Sequence, residues 1–142
     1  MPTVYIETSI IGYLTARSND AIIFLARQEL TRQWWNEERA KYTLVSSQLV
    51  VDEASAGDPV AAEERLAHVA ALPLLDIQHP GVAVLADRLV AKHLLPEKAM
   101  ADARHVAVST MFGVDYLLTW NCKHIANAET LPGIYKVLRD SG

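Results

Sequence analysis

Val4-Tyr5-Ile6-Glu7-Thr8-Ser9-Ile10-Ile11 begins with a short β-forming run, passes through one acidic and two hydroxyl residues, and enters a helical pattern. Val4, Tyr5 and Ile6 are β-branched or aromatic and suit a buried strand. Glu7 ends that strand. Thr8 and Ser9 can cap the following helix, because a hydroxyl oxygen there accepts from free amides of the first turn. Ile10, Ile11 and Leu14 then recur at helical spacing. A strand leading through a polar turn into a helix is the repeating unit of a parallel α/β fold. It places Glu7 at the carboxyl end of its strand, where open parallel sheets bind ligands.

The same unit recurs along the chain. A helix is predicted from Asp20 to Ala40, with Asp20 as its cap. Ile23, Ala26, Leu30 and Trp34 recur there at three- and four-residue steps, which turns them toward the core. Tyr42 to Val45 reads as the second strand. Ser46 or Ser47 caps a short helix bearing Leu49, Val50 and Glu53, and Gly57 ends it. Asp58-Pro59 starts another helix with proline at its first position. Leu74 to Ile77 is the third strand. Pro80 opens a helix through His93, and Pro96 opens one through Phe112 that Gly113 closes. Asp115 to Thr119 is the fourth strand, and a last helix runs from Pro132 to Arg139. This alternation predicts one domain over 1–142: a three-layer α/β/α fold whose central parallel sheet of about four strands is covered by helices.

Composition narrows the function classes. The 142 residues suit one domain, and 51% hydrophobic with 21% charged residues is a globular balance. No apolar run is long enough to span a bilayer. The first residues lack the basic start and apolar stretch of a signal peptide, so a cytoplasmic protein with no membrane partner is expected. Cys122 is the only cysteine, which precludes an internal disulfide. The net charge of −4 argues against a protein that coats nucleic acid with positive charge. It is compatible with an acidic pocket in which divalent cations attract phosphate.

Four polar positions interrupt apolar contexts. Glu7 ends the first strand, and Asn121 follows the strand that ends at Thr119. Glu53 lies one turn after Leu49. Asp102 shares a helix face with Ala99, Val106 and Ser109. Converging carboxylates repel one another, and a divalent cation relieves that repulsion. Oxygen ligands suit Mg²⁺ or Mn²⁺.

These positions resemble the motifs of the PIN-domain family. Tyr5-Ile6-Glu7-Thr8-Ser9 is similar to its first motif, an acidic residue ending the first strand with Thr or Ser after it. Val50-Val51-Asp52-Glu53-Ala54 resembles the helix with the second acidic residue. Ala101-Asp102-Ala103-Arg104-His105-Val106-Ala107 resembles the third motif, and Asp115-Tyr116-Leu117-Leu118-Thr119-Trp120-Asn121 the fourth. The size and layout are most similar to VapC-type toxins of type II toxin–antitoxin systems. That resemblance implies a Mg²⁺- or Mn²⁺-dependent endoribonuclease, a homodimer, and a cognate antitoxin whose C-terminal tail fills the groove. It implies that Glu7, Glu53, Asp102 and Asn121 are the catalytic metal ligands, directly or through water. Thr8 and Thr119 would orient the carboxylates or a phosphate, or Thr8 would simply cap its helix. The chain departs from the family in having Glu at the first acidic position and neutral Asn121 at the fourth.

Other residues have plainer readings. Cys122 and His124 resemble half of a zinc site, but no second pair is present. Lys123 and His124 fit a solvated loop, and His105 fits a hydrogen-bonded structural histidine. Trp34 and Trp35 cannot both face inward, because helix neighbours lie about 100° apart. Arg27 and Arg32 read as a solvated helix face. Two further functions fit the same residues: a catalytically weak module that binds RNA or protein, and a metal-dependent phosphoesterase acting on another substrate.

Overall fold

The structure is a computed structural model that describes residues 1–17, 19–92, 95–96 and 99–140. Four strands, β1 (Thr3–Ile6), β2 (Thr43–Ser47), β3 (Leu74–Leu75) and β4 (Tyr116–Leu118), form one sheet in the order β3-β2-β1-β4. Every neighbouring pair is parallel, with Tyr5 set against Val45 on one side and Leu117 on the other. β1 is therefore central, paired along both edges, and its apolar run has a physical cause: both faces are covered. Val4, Tyr5 and Ile6 are all buried.

Between the strands run α1 (Thr8–Thr15), α2 (Ile22–Gln33), α3 (Gln48–Ala54), α4 (Pro59–Val69), α5 (Pro80–Ala91), α6 (Met100–Met111) and α7 (Leu131–Asp140). α1 packs against α2, α3 and α4, while α5 packs against α6 and α7. The helices thus form two groups around an all-parallel sheet, the α/β architecture that the alternating sequence predicts. Among the described residues no helix is long and apolar enough to cross a membrane.

Several local expectations hold for the reasons given. Asp58 caps α4 by accepting from the Ala61 amide at 3.0 Å, with Pro59 at the first helical position. Gly57 and Gly113 adopt φ of +84° and +65° beyond α3 and α6, a region in which a side chain would be strained. Helix and strand ends shift by a few residues. β3 stops at Leu75, because Asp76 turns the chain by accepting from the Gln78 amide. Ser47 precedes α3 but makes no capping bond. The expected end at His93 lies outside the described residues.

α2 departs most from its pattern. Its cap is Ala21, with no side-chain bond, not Asp20. Ile23 and Leu30 are 71% and 54% exposed, whereas Gln28, Thr31 and Trp35 are buried. The inward face is displaced by one residue, about 100° of helix rotation, from the expected stripe. Gln28 is held there by bonds from its amide to the Tyr13 and Ala16 carbonyls at 3.3 and 2.6 Å. The helix then widens into a π turn over Trp34–Glu38 before a 3-10 turn at Arg39–Lys41. Trp35 enters the core, and Trp34 remains half-buried, stacked on Tyr42.

Candidate functional site

The carboxyl edge of the sheet begins where β1 ends. The Glu7 amide continues the β1–β4 pairing by donating to the Leu118 carbonyl at 3.2 Å. Glu7 then becomes the cap of α1, in place of Thr8 or Ser9. Its carboxylate accepts from the Ser9 amide at 3.2 Å and the Ser9 hydroxyl at 2.5 Å. The Thr119 hydroxyl also donates to it. Ser9 Oγ accepts in turn from the Trp120 amide at 2.8 Å, and Thr119 Oγ1 from the Asn121 amide at 2.8 Å. Two hydroxyls thus tie the end of β1 to the chain leaving β4, and Glu7 is only 5% exposed.

Thr8, released from capping, reaches a different carboxylate. Its hydroxyl donates to Glu53 Oε1 at 2.7 Å. Glu53 stands on α3, the helix that leaves β2. The same oxygen meets His105 Nε2 at 2.6 Å. A carboxylate only accepts, so Nε2 bears the hydrogen. On the other side of the ring, Nδ1 meets the Tyr5 hydroxyl at 2.7 Å, and that hydroxyl meets Ser47 Oγ at 2.7 Å. With the ring proton on Nε2, the Tyr5 hydroxyl donates to Nδ1 and accepts from Ser47. His105 is fully buried, and the described residues contain no buried polar side-chain atom without a partner. The arrangement accords with a structural histidine, and it also makes His105 a support for Glu53.

Two ionisation equilibria respond. Burial is the largest influence on Tyr5 and raises its pKa, as do the charges of Glu53 and Glu7, against the opposing Ser47 bond. Tyr5 therefore remains a protonated donor. Burial alone would raise Glu53, but the hydrogen bonds from His105 and Thr8 outweigh it, so its pKa lies below the ordinary 4.5. The unfolded chain then binds more protons across this interval. Glu53 contributes stability that is present above pH 4.5 and lost as pH falls through its folded value. In urea titrations with chelator, wild-type stability should fall faster below pH 4.5 than that of Glu53→Gln. Parallel curves would remove Glu53 from the account of acid stability.

Asp102 lies in the first turn of α6, one helical turn before His105. It is half-buried, and no hydrogen bond or ion pair engages its carboxylate among the described residues. Asn121 turns its side-chain oxygen back to the His124 amide at 3.0 Å, so that carbonyl braces its own loop. Glu7, Glu53 and Asp102 are linked through neighbours: Thr8 beside Glu7 and His105 beside Asp102 both bind Glu53. Asn121 joins them through its backbone amide, which donates to Thr119, and through Trp120 beside it, which binds Ser9. No group of three or more His, Cys, Asp or Glu side chains among the described residues is placed to hold a metal ion. The chemistry of the donor set nevertheless fits a hard divalent cation. Glu53 Oε2 and both oxygens of Asp102 have no bond among the described residues, and 38% of the Glu53 side chain is exposed.

From the sequence, Tyr5 reads as a strand residue, Ser47 as a helix cap and Arg27 as part of a solvated face, so none of the three stands out as a site residue. Arg27 is half-buried, its guanidinium 5.2 Å from the Trp120 ring centroid and 5.9 Å from that of Tyr13. The available signal for His105 was its spacing of one turn from Asp102. The chain matches no family model, no curated protein and no solved structure.

Proposed function

We propose that this chain is a PIN-like endoribonuclease of the VapC toxin type, with Glu7, Glu53 and Asp102 holding Mg²⁺ or Mn²⁺ and Asn121 at the rim. The observation that carries this reading is the double grip on Glu53. Thr8, next to Glu7 in sequence, and His105, one turn from Asp102, both bind its Oε1, which supports a site that draws on these three acidic residues. Thr8 and His105 fix the direction of the Glu53 carboxylate and leave Oε2 open. Ser9 and Thr119 fix Glu7 in the same manner. A divalent ion, when bound, supplies Lewis-acid activation of a phosphodiester and its attacking water. No protein nucleophile is required. A homodimer and a cognate antitoxin belong to this reading through the motif resemblance.

A second reading has its own support. Glu7 already accepts three hydrogen bonds and is buried, which suits a module that binds RNA without cutting it. Incubation of purified protein with a structured RNA, a single-stranded DNA and a small phosphate ester separates the readings. RNA cleavage that requires Mg²⁺ or Mn²⁺ and stops with chelator is expected. RNA binding without cleavage would favour the module, and faster turnover of DNA or the ester would favour a general phosphoesterase.

A further inference from the structure

Arg27 stands out because the chain has net charge −4 and its acidic edge must receive an anion. The guanidinium lies beside the edge-on Trp120–Tyr13 pair, 5.2 and 5.9 Å from the two ring centroids. Such cation–π contact fixes the plane of an arginine and lowers the entropy lost when it binds. Its position is anchored from both sides. Thr31, one turn along α2, donates to the Arg27 carbonyl at 2.6 Å and accepts from the Trp120 indole at 2.8 Å. The Trp120 amide binds Ser9 Oγ, which itself binds Glu7. A rigid path thus leads from the cation to the first carboxylate.

The charge of Arg27 is also unspent. Among the described residues its guanidinium makes one hydrogen bond, to the Tyr13 hydroxyl at 3.3 Å, and forms no ion pair. Four of its five N–H donors remain for another partner. A half-buried, pre-oriented guanidinium with forked donors is suited to a phosphodiester oxygen pair. We infer that Arg27 takes a backbone phosphate of the RNA strand flanking the cleaved bond, as a substrate-positioning residue that recognises charge and not sequence. This inference rests on the ribonuclease reading.

The test measures binding and cleavage separately. Binding of a short labelled unstructured RNA is followed by fluorescence anisotropy across a salt series in Mg²⁺, in an Asp102→Asn background that prevents turnover. Arg27→Gln should weaken binding about tenfold at low salt. Loss of one single-strand phosphate contact should lower the slope of log affinity against log salt by about 0.7. Arg27→Lys should retain the slope. Lys41→Gln, at the opposite edge of the sheet, should change neither quantity. If Arg27→Gln fails to fold by circular dichroism, Arg27→Met keeps the apolar stem over the rings and reads the same effect. Unchanged affinity and slope in a folded Arg27 variant, while wild type cleaves, would overturn the inference and leave the nuclease standing. An Arg27-dependent slope without cleavage by wild type would uphold the phosphate contact and overturn the nuclease. Neither binding nor cleavage by wild type would overturn both.

Discussion

Asp102→Asn should give a folded protein that no longer cleaves RNA. The substitution changes little volume, and the carboxylate it removes has no partner among the described residues, so no internal bond is lost. The stability lost is the favourable placement of a charge in the first turn of α6, about 0.3–1 kcal/mol. The effect on activity is of another order. Asp102 offers two open oxygens one turn from the histidine that grips Glu53. Removing groups that merely orient a metal ligand typically costs about 10–100-fold, and removal of a ligand should exceed that. Cleavage of structured RNA in Mg²⁺ and in Mn²⁺, with thermal melting alongside, measures both halves. Full activity from a folded Asp102→Asn protein would mean that the acidic edge is not the reaction centre.

His105→Ala should be the most damaging single change to stability among the residues of this edge. The ring is fully buried and bonded at both nitrogens. Its loss opens a cavity, deprives the Tyr5 hydroxyl of one partner and removes a charge-assisted bond from Glu53. Together these amount to about 2–4 kcal/mol. Activity should fall as well, by about 10–100-fold, because Glu53 is left with Thr8 alone. Tyr5→Phe separates the two contributions. It keeps the His105 bond to Glu53 but leaves Ser47 and Nδ1 facing an apolar ring, at a cost of about 1–3 kcal/mol. Urea midpoints for both variants, combined with rates measured well below those midpoints, give the comparison. A wild-type midpoint for His105→Ala would show that the paired ring contributes no net stability.

The sequence exposes those features that are local. The strand-to-helix units, the Asp58-Pro59 helix start and the two turn glycines follow from a few adjacent residues, and each appears in the structure. The position of Glu7 at a strand end is local too. What the sequence conceals is set by distant partners. The inward face of α2 carries Gln28 and Thr31 because carbonyls of α1 and the indole of Trp120 satisfy them, and no periodicity of apolar residues reveals such bonds. Glu7 caps α1 although Ser, Thr, Asp and Asn are the preferred caps, because Thr119 approaches from the far end of the chain. The same holds for His105. Its spacing from Asp102 is visible, but its bonds to Tyr5 and Glu53 exist only once α3, α6 and β1 have met.

The central place of β1 bears on when this sheet edge can assemble. Its pairing with β2 spans about forty residues, but the Thr119 bond to Glu7 spans 112. Contacts of such long sequence separation form late, because the intervening chain must be ordered first. On the ribosome, β1, β2 and α3 emerge well before Thr119 and Trp120. A nascent chain therefore holds Glu7 and Glu53 without the residues that lock the first carboxylate or anchor the Arg27 arm. The bonds that fix Glu7 therefore form only after Thr119 and Trp120 have been synthesised, so the order of translation itself delays assembly of this sheet edge.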